Sequence, residues 1–467
     1  MKTENMRGFP PAVPAVRPLA SFLQLAMVVF TVVDMVLLQP WAVWVMAAAA
    51  AGFVTLQIGR APPGIRRTCG VLIAAILALL PLIEAPQAAL ERGLRIGGLI
   101  ASLLLSVALL SRAALRVERM RQLVGALFTV PAEKRFVTLT VASQFFGGFL
   151  GLAGITMLME MASQVPMEDA QEKLACYSAI ARGYAAANLW SPMYSNVSIL
   201  LAISPGLDWA AVFPAAVVLA LASLALGWAQ NGWHGRRAAC AVPAFRWNPA
   251  ALVKPAAPII ACMVFFLLLA VGASRIAQVP VAAAIIVCAP VAAWILNALQ
   301  SGPARGGLQL HRDFCSLGTL AGEVLLFLVS GCAGTVIAAA MPTAWTTSIT
   351  AALAPFPLLG CLFLSASVVL LSCTSVHPML SGIVVATGFS AAALHLAPVV
   401  HVLAVLAGLG LAVIMTPFSV ISLMASRFSG LPLLAVSMRA HLAFVALCMA
   451  LSSFILSGMN GWFQHNR

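Results

Sequence analysis

The chain has 467 residues, of which 62% are hydrophobic and 8% charged, and its mean hydropathy is +1.03. Water-soluble domains carry about 25% charged residues, so the composition excludes a soluble enzyme and predicts a polytopic helical membrane protein. The apolar runs are about 18–25 residues long, the length of membrane-spanning helices, whereas the strands of an outer-membrane barrel are shorter and alternate in polarity. The net charge of +13 is typical of basic cytoplasmic loops, and we expect no nucleic-acid partner.

The chain begins with a polar stretch, residues 1–18, that lacks the apolar core and cleavage site of a signal peptide. We expect it to be a cytoplasmic tail. Nine uninterrupted apolar segments are then predicted to cross the membrane as helices. These segments are 19–38, 40–58, 69–86, 95–112, 208–230, 255–274, 278–299, 318–341 and 432–458.

Four further apolar segments are interrupted. Glycines lie at the centre of 136–161, and the sequence Cys-Thr-Ser-Val-His-Pro interrupts 357–390. The segments 174–203 and 397–426 each contain a hydroxyl residue followed by proline. Unpaired backbone groups are costly in hydrocarbon and are tolerated only where protein covers them or where they line a wet cavity. We therefore interpret the first two segments as re-entrant hairpins and the last two as broken helices.

The interruptions recur at matched positions in two halves of the chain. A shift of 225 residues places Ser191-Pro192 on Thr416-Pro417. The first half (19–230) has an extra first helix, and a cytoplasmic linker (231–254) joins it to the second half (255–467). Architectural repeats with discontinuous helices in corresponding places are typical of secondary transporters with a site near the bilayer midplane.

The basic loops predict the topology. With the N-terminus inside, the basic residues of 60–67, 112–135, 236–254 and 305–312 all lie inside only if 136–161 enters and leaves the membrane on the same side. The repeats are then inverted and the C-terminus is external. The predicted fold is all-α, with about eleven transmembrane helices, two re-entrant hairpins and two broken helices, in the cell inner membrane.

This layout resembles the ion transporter superfamily, and most closely the divalent anion/sodium symporters. The shared features are the extra first span, two inverted repeats, connecting arms (here 113–130 and 342–354), and a hairpin followed by a broken helix in each repeat. In that family Ser-Asn-Thr motifs at the hairpin tips contact substrate carboxylate and frame sodium. The second tip, 372–375, matches in part and the first, 147–151, lacks the motif. The resemblance implies a homodimer.

Polar side chains at the interruptions are the candidate solute ligands. Hydroxyls and an imidazole at a hairpin tip can bind an anion or relay a proton, and the helix that begins near Asn196 points its partly positive end into the break. In the alternative interpretation, the same groups only satisfy backbone at a helix break. The candidates are Thr374, Ser375 and His377 at the second tip, Asn188, Ser191, Ser195 and Asn196 at the first break, and Thr416 and Ser419 at the second.

The sequence thus predicts a secondary active transporter of a small solute, with an organic anion as the favoured solute. We expect it to work by elevator-like alternating access coupled to H⁺ or Na⁺. We expect no enzymatic activity, no metal site and no cofactor other than a coupling ion, with the anionic solute and membrane lipid as partners. Two alternatives stay open at this point. One is an efflux permease for a toxic oxyanion or drug, and the other is a non-transporting membrane assembly subunit.

Overall fold

The computed structural model describes residues 16–37, 39–167, 169–235, 250–374 and 376–465. These residues form nineteen α-helices, and no strand occurs among them. Most of the predicted tail (residues 1–15), the central part of the predicted linker (236–249) and Ser375 of the second tip lie outside the described residues.

The helices follow one another closely along the chain. Proline is the first residue of seven of them, a position where its missing N–H leaves no helical bond unmade. The first half contains α1 (Val16–Leu37), α2 (Pro40–Gln57), α3 (Pro63–Leu79), α4 (Pro86–Leu115), α5 (Glu118–Phe128), α6 (Ala132–Gln164), α7 (Ala170–Trp190), α8 (Ser195–Ile203) and α9 (Trp209–Gly235). The second half contains α10 (Ala250–Ala277), α11 (Val281–Ser301), α12 (Pro303–Ser316), α13 (Ala321–Ala340), α14 (Thr343–Leu353), α15 (Pro357–Cys373), α16 (Pro378–Gly388), α17 (Pro398–Met415), α18 (Val420–Ser429) and α19 (Ala440–His465).

Eleven helical segments of the described chain are long and apolar enough to cross a membrane. They include a helix for each of the nine predicted uninterrupted spans, and the predicted connecting arms are α5 and α14. The chain is therefore an all-α polytopic membrane protein, as its composition predicted.

Helix α12 was not predicted, because its polar residues hide it from a search for apolar runs. Its buried Asp313 accepts two hydrogen bonds from Arg116, which follows α4, the shorter at 2.5 Å. This bidentate pair fixes α12 against the end of α4.

The long helix α6 folds back on itself. Gly151 has the positive φ of 57° that favours glycine. A Cβ atom built on Gly154 would lie 2.6 Å from the carbonyl oxygen of Phe146, whereas eight residues of straight helix rise about 12 Å. Length and hydropathy alone would count α6 as one span, but its two arms form a helical hairpin.

Helices α15 and α16 form the second hairpin. The Ser372 hydroxyl donates to the Ser381 hydroxyl across the pair at 3.3 Å. Only residues 374–377 separate the two helices.

Contacts between helices define two ends of the bundle. At the first end, Arg135 pairs with Glu172 at 2.7 Å, which joins the start of α6 to the start of α7. At the second end, Arg275 pairs with Asp208 at 2.8 Å, which joins the end of α10 to the start of α9. Trp209 at the start of α9 bonds to Trp190 at the end of α7, so α9 runs antiparallel to α7. The end of α9 and the start of α10 therefore lie at the first end, with the base of the first hairpin.

Candidate functional site

Each broken helix is interrupted by a hydroxyl residue followed by proline. Helix α7 ends at Trp190 and α8 begins at Ser195, while α17 ends at Met415 and α18 begins at Val420. Proline has no N–H, so the carbonyl four residues earlier loses its helical donor. The carbonyls left open in this way are those of Asn188 and Val413.

The first break is tied to the first hairpin. The buried Ser191 hydroxyl donates to the carbonyl oxygen of Gly148, in the first arm of α6. The hydroxyl oxygen of Ser191 also accepts from the Met193 N–H at 3.3 Å and so closes the turn around the proline.

The second break has the same hydrogen bonds. The buried Thr416 hydroxyl donates to the carbonyl oxygen of Ser372 at 2.9 Å and accepts from the Phe418 N–H at 3.3 Å. The shift of 225 residues superimposes Ser191 on Thr416 and brings their hairpin partners to within one residue of each other. The hydroxyls predicted as solute ligands thus hold each hairpin against the break that follows it.

A pair of asparagines spans the first break. The Asn196 side-chain amide donates to Oδ1 of Asn188 at 2.7 Å, and both side chains are buried. The side-chain nitrogen of Asn188, which is 0% exposed, has no hydrogen-bond partner. A buried amide donor without a partner is costly, so this N–H group would gain from an acceptor that reached it.

The two helix N-termini at the breaks differ. Ser419 caps α18, because its side chain accepts from the Ser422 N–H at 3.0 Å. Tyr194 is the N-cap of α8 and provides no side-chain hydrogen bond. The first turn of α8 therefore keeps its unpaired N–H groups and partial positive charge beside the asparagine pair.

The two broken helices cross next to this pair. A Cβ atom on Gly410 of α17 would lie 2.6 Å from the carbonyl oxygen of Ala185 and 3.4 Å from Cβ of Asn188. The glycine lets the α17 backbone approach α7 closely, so Asn188 faces the second broken helix.

At the second hairpin tip, His377 is the N-cap of α16, and its Nδ1 accepts from the Met379 N–H at 3.3 Å. This bond requires Nδ1 to be unprotonated. The His377 ring also lies 6.5 Å from the ring of Phe327 on α13. Thr374 is exposed and donates to the carbonyl oxygen of Leu371 at 2.7 Å, so no bond joins it to the imidazole.

The structure therefore brings some predicted residues together and separates others. Asn188, Ser191, Ser195 and Asn196 line one break, Thr416 and Ser419 the other, and His377 lies at the second tip against α13. Sequence reasoning missed Tyr184, whose ring packs against that of Tyr194 with the ring centroids 5.1 Å apart.

The fold and the breaks define a class: a multi-pass helical membrane protein in which two interrupted helices cross and each is bonded to a helical hairpin. No protein-family model and no curated protein matches the sequence. Among solved structures, the chain is similar to the crystal structure of the YdaH transporter of Alcanivorax borkumensis, with a TM-score of 0.51 and 13% identity. The match covers 96% of this chain and 99% of that chain, so the likeness is one of the whole fold.

Proposed function

We propose that the protein is a secondary active transporter of a small organic anion, which binds at the first break. The observation that carries this proposal is the unpartnered side-chain nitrogen of buried Asn188, next to the open N-terminus of α8. Both features offer hydrogen-bond donors and partial positive charge, which suit a carboxylate or similar group. The fold likeness to a transporter supports the same class.

In our proposal, alternating access takes place where the hairpins contact the rest of the molecule. Ser111 of α4 donates to the carbonyl oxygen of Leu150 at the first tip at 3.0 Å, and Gly334 of α13 packs closely on Ile383 of α16. In our proposal the hairpins and broken helices move together against α4 and α13, in an elevator-like motion. This part of the proposal, with re-entrant hairpins, inverted repeats and a homodimer, agrees with the resemblance to the ion transporter superfamily.

Two groups could couple transport to an ion gradient. The carbonyl oxygens of Asn188 and Val413, which proline deprives of their helical donors, are ligands of the kind that Na⁺ binds at broken helices. His377 is the titratable side chain at the second tip and can take up H⁺. We propose H⁺ or Na⁺ as the coupling ion, and uptake driven by an imposed gradient of each ion in turn separates the two.

The test uses purified full-length protein in proteoliposomes. A thermal-stability screen over carboxylates, sulfonates, toxic oxyanions and cationic drugs selects the solute, and counterflow then measures exchange of labelled solute without ATP. We expect a carboxylate or sulfonate to be exchanged. Folded protein that exchanges no solute above empty vesicles would favour the non-transporting subunit, and exchange of a drug alone would favour an efflux permease.

Variants of Asn188 test the site itself. Asn188→Leu should weaken anion binding by about tenfold to a hundredfold, because a hydrogen bond to a charged group contributes about 1.5–3 kcal/mol. Asn188→Asp should weaken it further, since it adds a negative charge, whereas a cationic solute would bind this variant more tightly. Gln24→Leu is the matched control, because it removes another buried side-chain amide with an unpartnered nitrogen, in α1. Equal affinity of Asn188→Leu and Gln24→Leu for the anion would contradict the assignment of Asn188 to the solute site.

A further inference from the structure

A large apolar cavity lies at the second end of the bundle, and none of the proposed solute ligands lines it. Its volume is about 610 Å³, within the usual range of small-molecule pockets. It lies between the start of α9, the start of α17 and the end of α19. Residues on its wall include Leu207, Ala211, Pro214, Pro398, Met459 and Trp462.

The cavity opens on the side of the bundle that faces lipid. Val218 and Trp462 line it and are 45% and 62% exposed, and they belong to α9 and α19, two of the candidate membrane spans. Apolar side chains exposed on such helices contact hydrocarbon. A bilayer-facing cavity of this composition suits an acyl chain, because its apolar wall can pack against the chain by van der Waals contact.

A pair of opposite charges lies at the edge of the cavity. In the sequence, Asp208 lies between the cavity-lining residues Leu207 and Ala210. Its carboxylate forms an ion pair with Arg275 at 2.8 Å. The two side chains remain 47% and 63% exposed. Arginine has five N–H donors and binds phosphate well, so Arg275 can hold a phosphate while it stays bonded to Asp208. The carboxylate can then meet an ammonium group.

We propose that this cavity binds one acyl chain of a zwitterionic phospholipid of the phosphatidylethanolamine class. The phosphate lies on Arg275 and the headgroup ammonium on Asp208. In this proposal the apolar wall binds the acyl chain and the charge pair binds the headgroup. The two parts of the site therefore match the two parts of one lipid molecule.

The site adjoins the first break. Trp209 precedes the lining residue Ala210, and its indole N–H donates to the carbonyl oxygen of Trp190, the last residue of α7, at 2.9 Å. A lipid that fixes the start of α9 therefore also stabilises the end of α7, at the first break.

Native mass spectrometry of the delipidated full-length protein tests the proposal without any transport assay. The protein is titrated separately with phosphatidylethanolamine, phosphatidylglycerol of the same acyl chains, and free fatty acid. We expect tighter binding of phosphatidylethanolamine than of the other two. Ala211→Trp fills the cavity and should weaken this binding by about tenfold, which corresponds to about 1.4 kcal/mol. Leu221→Trp is the matched control, because Leu221 is a lipid-exposed residue of α9 that does not line the cavity.

Asp208→Asn tests the headgroup part of the site. It should abolish the preference for phosphatidylethanolamine over phosphatidylglycerol, a change of up to about fivefold for an exposed ion pair. Equal binding of the two phospholipids by the unmodified protein would overturn the proposal. So would equal lipid binding by Ala211→Trp and Leu221→Trp, or preferred binding of free fatty acid.

Discussion

At the residue scale, similar polar side chains at the breaks have different roles. Ser191 and Thr416 are bonded to hairpin carbonyls and Ser419 caps a helix, so the alternative interpretation, in which such groups only satisfy the backbone, describes their observed bonds. Asn188 is different, because it keeps a buried donor without a partner. The decisive property of a residue here is which of its atoms remain unpaired after folding.

His377 gives a prediction at the same scale. Its Nδ1 accepts the Met379 N–H, and protonation would turn this acceptor into a donor, so the cap of α16 would be lost on acidification. The stability that the neutral imidazole gives to the start of α16 is fully present at high pH and decreases as pH falls. We expect initial uptake of the selected solute to fall at acid pH in the unmodified protein.

His377→Asn preserves a capping acceptor that does not titrate in this range. Its uptake should therefore remain flatter with pH, with membrane insertion unchanged. Superimposable normalised pH curves for the two proteins would show that His377 has no part in proton dependence.

At the element scale, close backbone packing joins each hairpin to its broken helix. Gly183 of α7 packs on the carbonyl oxygen of Thr140 in α6, and Gly408 of α17 packs on that of Ser365 in α15. The shift of 225 residues relates both glycines and both carbonyl residues. The equivalent contacts indicate that hairpin and broken helix form one packing unit in each half.

These glycines should not tolerate even alanine. A Cβ atom on Gly408 would lie 2.7 Å from the Ser365 carbonyl oxygen, and the contact at Gly183 is closer still. Gly183→Ala and Gly408→Ala should each lower the free energy of unfolding by about 1–3 kcal/mol, the usual cost of overpacking. Thermal unfolding of the detergent-purified protein measures the effect.

The control for this pair is Gly272→Ala in α10, where an added Cβ meets no atom within 4 Å. Alanine favours helix over glycine, so this change should be neutral or stabilising. Unfolding temperatures of Gly183→Ala and Gly408→Ala at or above that of Gly272→Ala would contradict the close-packing account.

At the scale of the whole molecule, the hairpins set the topology. The contacts of α6, α7, α9 and α10 place the base of the first hairpin, the end of α9 and the start of α10 at the same end of the bundle, as a hairpin that enters and leaves on one side requires. We propose that this end is cytoplasmic, because basic residues concentrate in the loops assigned to it.

Single cysteines in a cysteine-free background test this orientation in intact cells. A membrane-impermeant maleimide should label Ser348→Cys, on the exposed face of α14, and should reach Lys254→Cys, at the start of α10, only after permeabilisation. Labelling of Lys254→Cys in intact cells would contradict the re-entrant hairpin and the inverted repeat together. Labelling of the cysteine-free parent measures the background.

The sequence by itself determined the class of fold and the position of every break. Composition and run length identify membrane helices, and the predicted interruptions coincide with clustered glycines or with a hydroxyl residue followed by proline, because these residues weaken a helix through their immediate neighbours. Proline alone is not sufficient, since Pro214 and Pro290 lie inside continuous helices. These local rules predicted the interruptions at Ser191-Pro192 and Thr416-Pro417 and the glycine-rich tip of α6.

Only the tertiary structure decided which polar groups are bonded and which are free. The Ser191 hydroxyl is hydrogen-bonded to Gly148 and the Thr416 hydroxyl to Ser372, more than forty residues away in each case. The side-chain nitrogen of Asn188, in contrast, has no hydrogen-bond partner. The amphipathic α12 and the apolar cavity beside α9 likewise depend on packing between distant segments. Hydropathy describes how a segment partitions into the membrane, but hydrogen-bond pairing and cavities depend on which segments meet, and no local pattern contains that information.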